Sequence, residues 1–176
     1  MIENTKKDVA WITRTGLLLA CLIVVQLLPF PAPFKQYITG PLVNMVLLIA
    51  VLSTGLLGGI ILAMLSPVLA QILQTHSLLG PLFFVIPFIM LGNVIYVLFF
   101  HWFRGKETNY FLQSIGLIIG SVLKFLILYF AVNFIIKGLP VLLKVAMGIT
   151  QLYTALGGGI LALIIGHFLG LTKSKK

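Results

Sequence analysis

The sequence predicts an all-α, polytopic membrane protein whose six transmembrane helices form one bundle, a single domain over residues 1–176. Hydrophobic residues make up 60% of the chain and charged residues 9%, whereas a soluble domain carries about 25% charged residues. The mean hydropathy is +1.17. The apolar runs are continuous over about 20 residues, as a spanning helix requires, and they lack the alternation of a β-barrel strand.

The predicted helices follow these apolar runs in order. The first ends where the PFPAP segment begins, because proline cannot continue a helix. The second is short and tolerates Pro41 in its first turn, and the sixth is long enough to tilt. The basic residues before the first helix are not followed by a signal-peptide cleavage site, so we expect this helix to be retained. The predicted ranges are 11–28, 38–53, 56–74, 81–100, 111–137 and 139–169.

The distribution of basic residues predicts that both termini lie in the cytoplasm. With six helices both termini fall on one side, and that side collects more lysines and arginines, as cytoplasmic loops do. These residues lie in short flanks and not on one domain face, so we expect no nucleic-acid partner. The cytoplasmic set is Lys6, Lys7, Arg14, Arg104, Lys106, Lys173, Lys175 and Lys176, and the opposite set is Lys35, Lys137 and Lys144.

The predicted helices contain no Asp or Glu, which argues against catalysis within the membrane and against proton coupling through buried carboxylates. The three histidines lie near helix ends, and the single cysteine, Cys21, has no partner for a metal-type spacing. The GGG at residues 157–159 lacks the Lys-Ser/Thr of a phosphate-binding loop. We therefore expect no enzyme, no cofactor and no metal site, and any energy for transport must come from another subunit.

The remaining polar residues of the helices predict a pocket that opens on the outer side. They come from different helices, yet almost all fall between the outer surface and the midplane. The alternative is a purely structural role, in which each amide forms a hydrogen bond between two helices that stabilises the bundle by about 0.6 kcal/mol. The candidate substrate-binding residues are Asn44, Gln71, Asn93, Ser121, Lys124 and Gln151.

Lys124 is the strongest of these candidates. A charge at the bilayer centre costs roughly 2.5–3.5 kcal/mol on insertion scales, and the midplane is too deep for efficient snorkelling to the interface. With no acidic residue in the helices, its partner is a backbone carbonyl, an amide or a ligand that is acidic or carbonyl-rich. Helical periodicity places Gln113, Gly116, Gly120 and Ser121 on the same face.

Small residues indicate two packing faces. A stripe at every fourth position of the sixth helix is expected to pack within the bundle: Thr150, Thr154, Gly158, Ala162 and Gly166. Gly16 and Ala20 have the same spacing in the first helix. This second pair is consistent with internal packing or with a docking groove for another membrane protein.

The chain resembles the substrate-binding S component of energy-coupling factor (ECF) vitamin transporters. The shared features are six helices, both termini inside, an outward pocket, no energy-coupling device and a small-residue pair on the first helix. Two local strings also resemble this family: YITGPLVNMVLLIA (37–50) and PLFFVIPFIMLGNVIYVL (81–98). The resemblance covers most of the chain. It implies capture of a vitamin-like small molecule outside a prokaryotic cell, in the plasma membrane. The implied partners are a transmembrane coupling subunit, two cytoplasmic ATPases and membrane lipid.

The resemblance also implies roles for particular residues. Family members dock through an Ala-x-x-x-Ala motif on the first helix, and Gly16 and Ala20 stand at the matching positions. The outer loops after the first and third helices gate the pocket, which implies gating roles for Phe30, Phe34 and His76.

Two other functions compete with substrate capture. The protein could be a non-transporting membrane scaffold or the integral subunit of a membrane-bound enzyme complex, in which case the amides join helices. It could also be a channel or facilitator, although no repeat is evident and the inner half of the helices carries few polar residues.

Overall fold

The structure is a computed structural model that describes residues 2–31, 34–75, 83–104 and 109–171. All regular elements of these residues are helical, as predicted. The α-helices are α1 (Ile2–Leu27), α2 (Lys35–Thr75), α3 (Ile86–Arg104), α4 (Tyr110–Phe130), α5 (Val141–Ala146) and α6 (Ile149–Phe168). A 3₁₀-helix, Phe83–Val85, precedes α3, and a π-helix, Ala131–Ile135, follows α4.

The prediction of six separate transmembrane helices is wrong, because two of the six form one helical element that turns back on itself at Gly55. In the described residues, five helices are long and apolar enough to span a membrane: Thr5–Leu27, Lys35–Leu73, Phe83–Arg104, Tyr110–Ile135 and Leu143–Phe168. The predicted second and third helices form the single element α2, because the chain passes from one to the other through one residue, Gly55, with no loop between them.

Gly55 reverses the direction of the chain inside α2. Its φ of 80° and ψ of −173° lie in a region that is essentially restricted to glycine. Ser53 and Thr54 donate their hydroxyls to the carbonyls of Ile49 and Ala50, a pattern that often accompanies a bent helix. Asn44 and Ser66, equally far from Gly55 in the sequence, line one cavity. The arms 35–54 and 56–75 therefore run side by side in opposite directions.

The last predicted helix, 139–169, also differs from the structure. Gly148, with φ −90° and ψ −130°, separates the short α5 from α6. Because α5 has only six residues, it cannot cross a bilayer, which requires about 20.

The helix α2 lies at the centre of the bundle and packs against α1, α3 and α6, while α3 packs against α4. Close approach depends on the predicted small residues. A Cβ on Gly158 would lie 2.4 Å from the carbonyl oxygen of Pro41, and one on Gly120 would lie 3.1 Å from that of Tyr96. The stripe on α6 is buried along its length. The prediction that it packs within the bundle is thus confirmed.

Side chains at the Gly55 end of the bundle join four segments of the chain. Trp11 Nε1 donates to the Thr54 carbonyl at 2.7 Å. The Arg104 guanidinium donates to the carbonyls of Val51, at 3.2 Å, and Leu171, at 3.0 Å. Carbonyls near a helix end lack intrahelical partners, so these donors satisfy groups that would otherwise be unpaired. The N-terminal half of α1 and the end of α6 consequently lie at the same end of the bundle.

Candidate functional site

A cavity of about 120 Å³ lies between α1, both arms of α2, α3, α4 and the start of α6. It occupies the half of the bundle away from Gly55 and extends to the half-buried Gln36 near the start of α2. Its volume is below the ~300–1,000 Å³ of typical ligand pockets, so in this conformation it accommodates a compact group. Its polar lining residues are Gln26, Gln36, Thr39, Asn44, Ser66, Asn93, Lys124 and Gln151.

Lys124 provides the positive charge of this cavity. Its side chain is 3% exposed, so it points into the bundle and does not snorkel to the surface. The ammonium Nζ donates to Asn44 Oδ1 at 2.6 Å and lies 5.3 Å from the centre of the Tyr96 ring. An aromatic face attracts a cation at this distance. An amide dipole and a π-face thus partly replace the water that the ammonium has lost.

Tyr96 is held in place by a hydrogen bond between helices. The residue is fully buried, and its hydroxyl donates to the Ala155 carbonyl of α6 at 2.8 Å. Gly92, one turn earlier on α3, allows the Lys124 side chain to pass, since a Cβ there would lie 3.2 Å from Lys124 Cγ. The α3 residues therefore position the amine although neither carries charge.

The amide of Asn93 is oriented by a proline on the neighbouring helix. Pro67 has no N–H, so the carbonyl of Ala63, four residues earlier, lacks its helical partner. Asn93 Nδ2 donates to that carbonyl at 3.3 Å. Because a carbonyl oxygen only accepts, the amide must turn its nitrogen to Ala63. The other end of the group, Oδ1, has no hydrogen-bond partner among the described residues.

Four of the six predicted substrate-binding residues lie together in this cavity: Asn44, Asn93, Lys124 and Gln151. The other two, Gln71 and Ser121, are fully buried but are not among its lining residues. Ser121 Oγ donates to the Leu117 carbonyl of its own helix at 2.7 Å. Gln71 was selected by its depth in the membrane and Ser121 by its position on the helical face of Lys124, and neither property determines whether a side chain reaches the cavity.

Neither of the two predicted gating residues that the structure describes, Phe30 and Phe34, lines the cavity. Phe30 is half-buried, and Phe34 is 62% exposed immediately before α2. His76 lies outside the described residues.

Sequence reasoning missed Gln26, which α1 contributes to the cavity. The residue is 2% exposed, and its Nε2 donates to the carbonyl of Ser66 at 3.0 Å. The signal was present as one amide near the end of an otherwise apolar run, VVQLL. Gln36, Thr39 and Ser66 were missed as well, because a single hydroxyl within a helix, or an amide directly beside Lys35, gives no comparable signal.

The predicted docking pair lies on an exposed face of α1. Both Gly16 and Ala20 are exposed, and a Cβ on Gly16 would meet no atom within 4 Å. Large apolar neighbours are exposed on the same helix, among them Leu17 at 65% and Val24 at 60%. The pair therefore does not serve internal packing, and its small side chains leave this face open to a lipid or a second protein.

This arrangement suits the binding of a small molecule. The cavity combines one ammonium with several amides, which can bind a small molecule in a fixed orientation. Among the residues that the structure describes, no carboxylate lines the cavity. A cationic ligand would find no such partner in this part of the chain.

Comparison with known proteins gives one result. The family model described as "ECF transporter, substrate-specific component" matches residues 11–170, which cover both the cavity and the exposed pair on α1. No curated protein and no solved structure matches the chain.

Proposed function

Because the chain belongs to the family of ECF transporter substrate-specific components, we propose that it captures a vitamin or related micronutrient for an ATP-driven importer. The family identifies a multi-pass membrane protein that is a transport subunit and not a catalytic one. It also implies a small-molecule substrate and partners from the ECF module. The identity of the substrate as a vitamin and the coupling to two ATPase subunits are our proposals.

One observation carries the proposal: the buried ammonium of Lys124, paired with the neutral amide of Asn44 inside a polar cavity. A buried charge without a counter-charge is costly and usually marks a functional site in a membrane protein. A carbonyl or acidic group on the substrate would supply the missing partner. We propose that Lys124, Asn44, Asn93 and Gln151 contact this substrate. Gln71 and Ser121, which are buried but do not line the cavity, then support the binding residues without contacting the substrate.

We further propose that the Gly55 end faces the cytoplasm of a prokaryotic cell and that the cavity opens outward. Trp11, Gly55 and Leu171 lie at this end, so the two terminal segments share a side. Arg14 and Arg104 lie on that side, whereas Lys35 begins α2 at the opposite end. Cytoplasmic segments are enriched in basic residues. In this orientation the segment with Phe30 and Phe34, and the segment with His76, gate the outer entrance.

Docking to the coupling subunit is assigned to the exposed face around Gly16 and Ala20. Substitutions on this face test the function directly. A leucine at Gly16 has open space around it within the protein's own fold, so it should obstruct a partner without disturbing folding. We expect Gly16→Leu and Ala20→Leu to abolish co-purification with the coupling subunit and its ATPases, while the variants remain monodisperse and keep the wild-type melting temperature.

Cys21→Leu is the matched control, since Cys21 is exposed on α1 but points away from the pair. It should co-purify as the wild type does, and Gly16→Ala should as well. Equal co-purification of all four variants would show that α1 is not the docking helix and would remove the assignment.

A further inference from the structure

One residue of the cavity lining differs from the others in what supports it. The cavity of about 120 Å³ is smaller than the ~300–1,000 Å³ of typical ligand pockets. A molecule of ordinary size can therefore enter only if part of the lining moves. Among the described lining residues, Met147 alone lies outside the long helices α1, α2, α3, α4 and α6. It stands in the short connection between α5 and α6.

Met147 packs in an apolar cluster that is separate from the main core of the bundle. The main core joins α1, α2, α3, α4 and α6. The second cluster joins the chain before α3, the end of α4 with the π-helix, and the chain on both sides of α5. Its buried members among the described residues are Val85, Leu128, Val132, Leu139 and Met147. Packing in this smaller cluster keeps Met147 against the cavity.

The chain around Met147 is a short unit with a glycine near each end. We name residues 137–148 the α5 segment. Gly138 has a φ of 76°, in the left-handed region that favours glycine, and Gly148 separates α5 from α6. Backbone hydrogen bonds of α5 close inside the segment, as from Met147 N to Leu143 O at 2.9 Å. The segment can therefore move as a unit without losing its own helical turn.

Two side chains at the start of α6 attach the end of α5. Thr150 Oγ1 donates to the Val145 carbonyl at 3.2 Å, and Gln151 Nε2 donates to the Ala146 carbonyl at 3.3 Å. Neutral hydrogen bonds of this kind each add little net stability, because water replaces them when they break. Parts of a protein with few such contacts open locally while the rest stays folded.

We propose that the α5 segment is a movable wall of the cavity. When it moves away from the bundle, Met147 leaves the lining and the cavity enlarges; when the apolar cluster packs again, the cavity closes to the size described. This inference rests on the proposed capture function. It adds a third segment to the two already proposed to gate the entrance, and it differs from them in contributing a residue to the lining.

A cysteine inside the cavity reports this movement without a substrate. Ser66→Cys places a thiol on the part of the lining that α2 provides, at a side chain that is 4% exposed. The background is Cys21→Leu, which removes the chain's single native cysteine. The detergent-purified protein is treated with 2-hydroxyethyl methanethiosulfonate, a small uncharged thiol reagent, and intact-protein mass spectrometry gives the rate of modification. Because the thiol is buried, this rate follows the population of the open wall.

Leu139→Ala weakens the apolar cluster from outside the cavity lining. We expect it to raise the modification rate at least about tenfold, since truncation of a buried leucine costs more free energy than this factor represents. Thr150→Val keeps the shape of the side chain but removes the hydrogen bond to Val145. It should raise the rate about fivefold.

Two controls separate movement of the wall from other causes. Val141→Ala is the matched control, because Val141 lies on α5 but is 76% exposed. Phe100→Leu weakens the main core and detects opening by global unfolding. Both should leave the rate within about twofold.

An unchanged rate in Leu139→Ala would overturn the inference, and Thr150→Val decides in the same way where Leu139→Ala does not fold. An equal rise in either control would overturn it as well. The measurement uses neither a substrate nor the coupling subunit, so the docking test of the proposed function stands or fails separately.

Discussion

Lys124 shows at the scale of one residue how a charge is kept inside an apolar bundle. Its ammonium has lost its water, and the Asn44 amide at 2.6 Å and the Tyr96 ring 5.3 Å away replace part of that hydration. The sequence predicted the neighbours of Lys124 on α4, and Gln113, Gly116, Gly120 and Ser121 are indeed buried with it. It could not predict where that face points, because helical periodicity gives relative angles along one helix and not its rotation in the bundle.

Gln113 presents the opposite case, a buried amide without a compensating group. Both Nε2 and Oε1 lack a hydrogen-bond partner among the described residues, and the side chain is fully buried. We expect Gln113→Met to stabilise the protein by about 1–2 kcal/mol, because the substitution removes an unsatisfied polar group at nearly constant volume. The gain should appear as a higher midpoint of thermal unfolding in detergent.

The half-exposed Gln36 provides a control, since Gln36→Met should change the midpoint little. A lower midpoint for Gln113→Met would contradict the account, since it would mean that this amide makes a stabilising hydrogen bond in the folded protein.

At the scale of elements, close packing between helices depends on glycines whose Cβ would meet backbone. A Cβ on Gly158 would lie 2.4 Å from Pro41 O and 2.9 Å from Met45 N, atoms that cannot move without shifting α2. A Cβ on the adjacent Gly157 would lie 3.9 Å from the Pro41 side chain, an ordinary contact.

We expect Gly158→Ala to destabilise the protein by about 1–3 kcal/mol through overpacking between α2 and α6. Gly157→Ala should leave stability unchanged or raise it by up to about 1 kcal/mol, because alanine has the higher helix propensity. The midpoints of thermal unfolding of the two variants, measured side by side, test whether only Gly158→Ala is destabilising. Equal midpoints would show that α6 does not approach α2 as closely as described.

The elements also show how far the sequence could predict the fold. The apolar runs located the helices, and the small residues of α6 identified a buried face, but neither identified α2 as the helix against which that face packs. The sequence predicted two separate helices, 38–53 and 56–74. The boundary predicted at residues 54–55 coincides with the reversal at Gly55, but glycine is common in membrane helices, so the pattern could not show that the two arms join without a loop. Gly148, which separates α5 from α6, was missed for the same reason.

At the scale of the whole molecule, the site is assembled from residues far apart in the chain. Gln26 of α1, Asn44 of α2, Asn93 of α3 and Lys124 of α4 line one cavity. Three of them, Asn44, Asn93 and Lys124, were predicted from their depth in the membrane. The same criterion also selected Gln71, which does not line the cavity. The class of protein was predictable because composition and apolar runs are properties of the sequence itself. Membership of the cavity depends on the rotation of each helix, which only the packed bundle defines.

The central claim is that this transport subunit captures a small molecule in the cavity around Lys124. Native mass spectrometry tests it most directly, with the wild type, Lys124→Met and the control Gly157→Ala. Each protein is purified in mild detergent and incubated with the low-molecular-mass fraction of a cell extract. The account predicts that the wild type and Gly157→Ala carry the same small molecule and that folded Lys124→Met does not. Equal retention by all three proteins, or no retention by the wild type, would contradict it.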